Sequence, residues 1–506
     1  MKLKKHTSAL FSFLIAFSLI PARAQNSEVI QDIHSRIEGI TKSTTFCNAQ
    51  LSVCATDMKG NILIDLNRRQ MLSPASNMKL ISSGTALHHL GSGFRYETLI
   101  CHDGTIENGI LKGNLHIIGQ GDPTTGSKDT IATPLETTFR QWEKIIRDAG
   151  IRKIDGYVIG DGRWMDGMAE EPTWQWNDIG TYYGTGATGL MFYENMQSFM
   201  TKPGAKIGDP VEMSPSYPET PWMEFRYSCS TGEAKTGDRL YMYTSELAPI
   251  AEIRGTFGID RGAKRVDCSN KFPEYTCAYH FVSHLRKNGM ECTMGAGDYR
   301  LRTEWSGPAN KKDLTLIGHT ESPELRKIVF TTNHASNNLY AETLMRTLGK
   351  TVGGSAAYDS ARSAMEQVLK RLGLDTTSGI MIQDGSGLSR LNLVSADFLC
   401  RFLRIMILSE ESDAFMESLP SPGGDGTLYY NMSKYPLSLK SRIHAKSGSM
   451  KGTRCYSGYI LPSGQSAADS SADIIVFSIM ANNCTAPDWE VRPALDRIMA
   501  MLAELN

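Results

Sequence analysis

A serine and a lysine stand three residues apart where a helical pattern begins, in the segment Ser76-Asn77-Met78-Lys79. Pro74 precedes it, apolar residues recur at helical spacing after it, and Gly91 supplies a stop. Residues three apart share a helix face, so the Ser76 hydroxyl and the Lys79 amine are expected to lie side by side. A lysine kept neutral by burial or by the helix dipole can accept the serine proton. This predicts a Ser-x-x-Lys acyl enzyme, but such a short match also occurs by chance.

The first 24 residues have the pattern of an export signal. A basic head with Lys2, Lys4 and Lys5 precedes an apolar run over 9–20, and Ala22-Arg23-Ala24 fits a small-x-small cleavage site. The run is short for a bilayer span, and nothing later resembles a transmembrane helix, so a cleaved signal peptide is preferred over a membrane anchor. We therefore expect a protein secreted across the inner membrane into the periplasm, with no stable membrane span after cleavage.

Charge and cysteine content narrow the function classes. Loss of the leader takes the formal charge from -1 to about -5, which argues against nucleic acid as the main partner. Ten cysteines permit disulfides in an exported protein, and Cys47 with Cys54 and Cys268 with Cys277 are candidate pairs, although the connectivity stays open. With no Cys-x-x-Cys and no histidine cluster of zinc spacing, we expect no metal and no cofactor.

Helical and strand patterns alternate along the chain, as is typical of an α+β fold. Strand patterns occupy 51–55, 62–66, 110–118, 154–160, 455–461 and 474–480, and helical patterns dominate from 324 to 408 and over 488–502. Residues 165–285 are aromatic, rich in glycine and proline, and weakly periodic. Aromatics there, such as Trp174, Trp176, Tyr182 and Phe192, fit either a carbohydrate platform or core packing.

Two further motifs complete an acyl-enzyme constellation. Ser336-Asn337-Asn338 precedes a helical segment, and Lys446-Ser447-Gly448 is expected on an edge strand. Ser336 can relay the proton from Lys79 to the leaving amine, and Asn338 can bind the substrate amide and the lysine. Lys446 supplies a cation for a substrate carboxylate, to which Ser447 or Ser449 can donate. Gly448 lets the strand approach the substrate, and backbone N–H groups of Ser76 and of the residue after Gly448 are expected to hold the oxyanion.

With these motifs in this order, the chain resembles the serine D-Ala-D-Ala carboxypeptidases of the penicillin-binding protein 4 type, the class C low-molecular-mass penicillin-binding proteins. The block Asp384-Gly385-Ser386-Gly387-Leu388-Ser389-Arg390 is the most specific part of the resemblance, which covers nearly all of the mature chain. Taken alone, that block is a turn, and Glu342 is a structural helix residue. In the third motif, Ser447 stands where threonine is commoner in the family. Serine has a hydroxyl group as threonine does, so the hydroxyl is kept.

The resemblance implies a β-lactamase/transpeptidase-like domain, an antiparallel sheet flanked by helices, with β-rich insertion domains between the first two motifs. We expect the signal peptide over 1–24, the peptidase domain over 25–95 and 310–506, an insertion over 96–164 and 285–309, and a nested insertion over 165–284. Asp161 stands where some relatives place an acid that binds the free amine of the stem peptide.

The function implied is hydrolysis of the terminal D-Ala-D-Ala bond of peptidoglycan stem peptides through a Ser76 acyl-enzyme, with β-lactams as covalent inhibitors. Relatives also cleave D-Ala-diaminopimelate cross-links. Two alternatives stay open: an esterase or D-amino-acid peptidase on the same scaffold, and a non-catalytic module that binds cell wall or senses β-lactams. The intact Lys446-Ser447-Gly448 motif argues against an esterase, and the presence of all three motifs argues against a non-catalytic module.

Overall fold

The computed structural model describes residues 27–299, 314–464 and 473–506. The predicted signal peptide and the predicted junction at 309–310 lie outside these residues. The helices are α1 (27–41), α2 (Met78–Leu90), α3 (Leu135–Asp148), α4 (Trp176–Ile179), α5 (Pro273–Lys287), α6 (Leu325–His334), α7 (Asn338–Gly353), α8 (Tyr358–Arg371), α9 (Ala396–Ile407), α10 (Ser412–Glu417), α11 (Leu437–Lys440) and α12 (Asp488–Leu502).

The strands lie in several sheets. They are β1 (Gln50–Thr56), β2 (Ile62–Leu66), β3 (Met71–Leu72), β4 (Glu97–His102), β5 (Thr105–Glu107), β6 (Ile110–Lys112), β7 (Leu115–Gly119), β8 (Lys153–Asp155), β9 (Tyr157–Asp161), β10 (Met196–Lys202), β11 (Glu212–Tyr217), β12 (Glu224–Gly232), β13 (Asp238–Ser245), β14 (Ala248–Gly258), β15 (Lys264–Ser269), β16 (Glu291–Cys292), β17 (Gly295–Asp298), β18 (Thr315–Glu321), β19 (Ile380–Met381), β20 (Leu393–Ser395), β21 (Ile443–Met450), β22 (Thr453–Ile460) and β23 (Ile475–Asn482).

An antiparallel sheet in the order β2-β1-β23-β22-β21 joins the two ends of the chain. Every residue of β23 is buried, because helices cover both faces. Val476 and Met480 face the core that contains α2 and α9, whereas Phe477 and Ile479 face α1 and α12. This alternation has the period of two expected for a strand packed on both sides. The predicted antiparallel sheet flanked by helices is present, and β21, which carries the Lys446 motif, is its edge strand.

The Ser76 helix, α2, is buried from Met78 to Leu87. It tolerates burial because its hydroxyls bond to nearby carbonyls rather than to water. Ser83 Oγ donates to Lys79 O at 2.6 Å, Thr85 Oγ1 to Ile81 O at 2.6 Å, and Ser82 Oγ to Gly385 O at 2.7 Å. The helix therefore lies in the core with its hydroxyl groups satisfied.

The described residues between 96 and 321 form four more sheets. Two have the strand orders β17-β9-β7-β4-β18 and β16-β8-β6-β5, and the other two, between them in sequence, have the orders β11-β10-β15 and β12-β14-β13. The domain boundaries stay a prediction. A division drawn between sheets would place β18 with the first insertion, because β18 pairs with β4. The sequence-based division put those residues in the peptidase domain.

Two strands predicted as continuous are each divided between two sheets. The prediction of single strands over 110–118 and 154–160 was wrong, because β6 and β8 pair in one sheet and β7 and β9 in another. The chain changes sheet at Gly113, with φ 149°, and at Gly156, where a Cβ would lie 2.1 Å from Gly113 O. Glycine permits both this backbone and this close approach.

The ten cysteines are thiols in this structure. The two candidate disulfides were therefore wrong. Cys54 points from β1 into the core while Cys47 is exposed, and Cys268 and Cys277 are buried on β15 and α5. In the described part of the chain, no helix has the length and apolar character needed to cross a membrane.

The close contact between β21 and the turn before α2 predicts the effect of one added methyl group. A Cβ on Gly448 would lie 2.5 Å from Pro74 O and 3.1 Å from Asn77 N. We expect Gly448→Ala to lower the free energy of unfolding by about 1–3 kcal/mol, measured by denaturant titration. Gly93→Ala is the matched control, because a Cβ there meets nothing within 4 Å. Equal unfolding midpoints for the two variants would contradict the contact.

Candidate active site

Ser76 lies in a short 3-10 turn, Ala75–Asn77, that leads directly into α2. Asn77 fixes this turn to the central sheet, because its Nδ2 donates to Ser457 Oγ on β22 at 2.7 Å. Ala75 has φ 46°, in the left-handed region that non-glycine residues seldom adopt. Such backbone strain is concentrated at functional sites. The turn leaves Ser76 half-buried between the helix and the sheet.

Lys79 is fully buried, and its amine donates to three acceptors from distant parts of the chain. Its Nζ lies 3.0 Å from Ser76 Oγ, 2.6 Å from Asn338 Oδ1 and 2.8 Å from Ser386 O. Burial lowers the pKa of Lys79 to about 7, although the carboxylates of Asp384 and Glu342 act in the opposite direction. An amine with this pKa is largely neutral in slightly alkaline solution, next to a serine hydroxyl.

The Ser336-Asn337-Asn338 motif forms the start of α7. Asn337 caps the helix, since its Oδ1 accepts from Tyr340 N at 3.1 Å. Asn338 Nδ2 donates to Tyr183 O at 2.9 Å, which turns its Oδ1 towards Lys79. Ser336 has φ 61°, in the left-handed region that Ala75, directly before the Ser76 motif, also adopts. The motif thus connects Lys79 to the segment that contains Tyr183.

The third motif brings a second buried amine to the site. Lys446 Nζ donates to Ser336 Oγ at 2.9 Å and to Ser447 O at 2.7 Å. Burial and the neighbouring Lys79 lower the pKa of Lys446 well below its ordinary range. A bound carboxylate would favour the protonated form of this amine. The structure therefore brings Ser76, Lys79, Ser336, Asn338 and Lys446 together.

A cavity of about 640 Å³ opens above Ser76. Ser336, Asn338 and Ser449 line it, and Ser449 is exposed at the end of β21. Ser447 is buried instead, and Gly448 packs against the Ser76 turn, so neither lines this cavity. Of the two hydroxyls predicted to meet a carboxylate, the structure places that of Ser449 in the cavity.

Asp161 does not belong to this site. It ends β9, where its carboxylate accepts from Arg163 Nε at 2.9 Å and from Arg163 Nη2 at 2.8 Å, and it does not line the cavity. The expected role of Asp161 in binding a substrate amine is therefore not supported. Asp178 on α4 lines the cavity instead and accepts from Tyr183 Oη at 3.1 Å. Burial raises the pKa of Asp178, while Tyr183 and Arg390 oppose the rise. The sequence signal for Asp178 was its position as a carboxylate within the aromatic stretch.

Two buried carboxylates, those of Glu342 and Asp384, lie behind Lys79. The sequence predicts Glu342 as a structural helix residue and Asp384 as part of a turn. Glu342 accepts from Gly385 N at 3.1 Å and from Ser386 N at 2.8 Å, and so holds the Ser386 carbonyl that Lys79 contacts. Asp384 accepts from Trp174 Nε1 at 2.8 Å and from Ser389 N at 2.6 Å. Burial raises the pKa of both carboxyls. The Asp384 block is the predicted turn, and it also supplies an acceptor and negative charge to Lys79.

The aromatic residues of the middle stretch divide between two environments. Trp174, Phe192 and Tyr193 are buried, as core packing predicts, whereas Trp176 and Tyr182 are exposed. Potential metal ligands among the described residues meet at Glu97, His319 and Glu321, on strands β4 and β18, and do not line the cavity.

Comparison with known proteins agrees with this geometry. The family model of the D-Ala-D-Ala carboxypeptidase 3 (S13) family matches residues 34–504. The D-alanyl-D-alanine carboxypeptidase of Actinomadura sp. (strain R39) is 26% identical over 481 residues, which cover 92% of this chain and 84% of that protein. The penicillin-sensitive carboxypeptidase A of Dictyostelium discoideum is 27% identical over 473 residues, which cover 87% and 84%.

The fold is also that of a solved structure. Penicillin binding protein 4 (dacB) from Haemophilus influenzae superposes with a TM-score of 0.75 at 20% identity, over 93% of this chain and 98% of that one. The predictions of an α+β fold and of a serine-type D-Ala-D-Ala carboxypeptidase of the penicillin-binding protein 4 type are confirmed. Because the family model spans nearly the whole sequence, the chain belongs to the D-Ala-D-Ala carboxypeptidase 3 (S13) family.

Proposed function

We propose that this chain is an exported, periplasmic serine DD-peptidase that hydrolyses the terminal D-Ala-D-Ala bond of peptidoglycan stem peptides through an acyl-enzyme on Ser76. The observation that carries the proposal is the 3.0 Å contact between Ser76 Oγ and Lys79 Nζ. Burial of that amine lowers its pKa to about 7. A base with this pKa can take the serine proton at neutral pH without a histidine.

The acylation step follows from these positions. Ser76 Oγ attacks the carbonyl carbon of the penultimate D-alanine and transfers its proton to Lys79 Nζ. The oxyanion accepts from the backbone N–H groups of Ser76 and Ser449. When the C–N bond breaks, Ser336 relays the proton from Lys79 to the nitrogen of the leaving D-alanine. The terminal carboxylate of the substrate is met by Ser449 and by the positive charge of Lys446.

Deacylation uses the same groups. Lys79 accepts a proton from water, the hydroxide attacks the ester carbonyl, and Ser76 leaves with that proton. The products are free Ser76 and a stem peptide shortened by one D-alanine. β-Lactams would acylate Ser76 because their amide and carboxylate copy the terminal dipeptide. Asn338 orients Lys79 through its Oδ1 and remains available to the substrate amide.

A larger leaving group is also proposed as a substrate. The cavity, about 640 Å³, is of the size that holds drug-sized ligands and exceeds the needs of a dipeptide. A D-Ala-diaminopimelate cross-link presents the same carbonyl with a bulkier amine. We therefore propose DD-endopeptidase activity as a second reaction of the same site.

Turnover of a synthetic stem pentapeptide tests the nucleophile. We expect the wild type to release D-alanine and Ser76→Ala to lose at least about a thousandfold in kcat, because no other nucleophile replaces the hydroxyl. Ser433→Ala, an exposed serine, is the matched control. A cross-linked peptide dimer, assayed beside the pentapeptide, measures the endopeptidase reaction separately from the carboxypeptidase reaction. Undiminished turnover by Ser76→Ala would overturn the mechanism, and a wild type inactive on both substrates would favour a non-catalytic module.

The pH dependence of acylation tests the base. Only neutral Lys79 accepts the serine proton, so the second-order rate constant with a soluble penicillin should rise about tenfold per pH unit below the pKa, which is about 7. It should level off above that pH. Stopped-flow measurement from pH 5 to 9 checks this. A flat profile over that range would exclude Lys79 as the titrating base.

The buried carboxylates should move that profile. Asp384 and Glu342 raise the pKa of Lys79, so Asp384→Asn is expected to shift the acid limb to lower pH by about one unit. Asp384→Ser serves as a second variant in case the first unfolds, because burial raises the pKa of Glu342 to about 8 and leaves that carboxyl mostly uncharged over the acid limb. Glu410→Gln, an exposed carboxylate elsewhere, should leave the limb unchanged. If the acid limb moved to higher pH in either Asp384 variant, the buried carboxylate would not be the negative charge that raises the pKa of Lys79.

A further inference from the structure

Aromatic side chains gather beside the cavity above Ser76. We call the set Trp176, Tyr182, Tyr241 and Tyr243 the aromatic ridge. Tyr182 and Tyr241 line the cavity, the residues on either side of Trp176 line it too, and Tyr243 is half-buried. Trp176 and Tyr182 are each 58% exposed and Tyr241 is 38% exposed. The ring centroids of Trp176 and Tyr243 are 6.3 Å apart at an interplanar angle of 33°. Exposed aromatic side chains grouped beside a cavity, rather than scattered singly, make this surface a candidate binding surface.

Core packing does not account for the ridge. Trp174 and Phe192, from the same aromatic stretch of sequence, are buried and do serve the core. Trp174 is moreover fixed by its hydrogen bond to Asp384. Trp176, two residues later at the start of the short helix α4, is 58% exposed. The two interpretations of the sequence, core packing and a binding platform, therefore apply to different residues.

The ridge continues the catalytic cavity onto the nested insertion. Tyr182 and Tyr241 line the cavity above Ser76 and also a second cavity of about 380 Å³. Asp238 and Asp267 line this second cavity, paired with Lys264 at 3.6 Å and with Arg265 at 3.0 Å. Aromatic faces beside carboxylates and cations suit a ligand with an apolar C–H face and a hydroxyl-bearing edge. A sugar ring has this chemistry.

We propose that the aromatic ridge binds the glycan chain to which the stem peptide is attached. The inference rests on the proposed function, which places the C-terminal D-alanine of the stem at Ser76. The stem joins its sugar at the opposite end, so the sugar lies outside the catalytic cavity, at its rim. The ridge is the exposed aromatic surface continuous with that cavity, through Tyr182 and Tyr241.

The proposal predicts a preference for substrates that carry the sugar. Stacking on the ridge is present before and during the reaction, so it lowers KM and leaves kcat unchanged. We expect a disaccharide-pentapeptide to be used with a kcat/KM about fivefold or more above that of the free pentapeptide. Trp176→Ala should remove most of this preference, and Trp176→Phe should keep part of it.

The experiment compares the two substrates by D-alanine release, with the penicillin acylation rate as a second readout of the Ser76 site. Trp489→Ala is the matched control, because Trp489 is 70% exposed and lies on α12, outside the aromatic ridge. For Trp176→Ala we expect KM to rise for the sugar-bearing substrate only. The kcat/KM for the free pentapeptide and the rate of acylation by penicillin should both stay unchanged.

Three results would overturn the inference. The first is a wild type that uses the free pentapeptide equally well, which leaves the proposed function intact. The second is an undiminished preference in Trp176→Ala. The third is an equal loss on both substrates in that variant, which would assign the ridge to the peptide. A wild type that is neither acylated nor active on either substrate would instead refute the proposed function, and the glycan site with it.

Discussion

The burial of the Lys79 amine is the constraint on which the site depends. A lysine removed from water either gains counter-charge or loses its proton, because an isolated buried ammonium is very costly. Here burial prevails and lowers the pKa to about 7, while Asp384 and Glu342 limit the fall. The neutral amine has two protons to donate and one lone pair to accept with. Asn338 and Ser386 can take its two protons, and the lone pair can then accept from the Ser76 hydroxyl, so the position of one amine ties these segments together.

Close backbone approaches make this meeting possible. A Cβ on Gly448 would lie 2.5 Å from Pro74 O, and one on Gly387 would lie 1.8 Å from Ala75 O. The edge strand β21 and the turn after Asp384 therefore both pack directly against the turn that holds Ser76. The pairing of β1 with β23 fixes the two ends of the chain in the same sheet. The chain between the first two motifs leaves this arrangement intact and supplies part of the cavity lining, including Asp178 and Tyr183.

The three motifs could be predicted from the sequence because each is local and its order along the chain is informative. The long helices followed from periodicity, whereas the edge strand was expected from the Lys446 motif itself. What the sequence did not reveal was which side chains the fold brings to the cavity. Asp161 is a strand-end carboxylate like many others; it pairs with its near neighbour Arg163, and only the fold shows that Asp178 lines the cavity while Asp161 does not. The role of Glu342 beside Asp384 is likewise a contact between segments. The switch between sheets at Gly113 is set by packing against Gly156, which periodicity does not record.

Mapping a penicillin adduct on the intact protein tests whether Lys79 activates Ser76. After brief exposure to penicillin, we expect one covalent acyl group per chain, located by tandem mass spectrometry on the Ser76 hydroxyl. The adduct should form far more slowly in Lys79→Ala, and Lys434→Ala, an exposed lysine, should match the wild type. An adduct on another residue would show that Ser76 is not the nucleophile, and full-rate acylation of Ser76 in Lys79→Ala would show that the Lys79 amine is not its base.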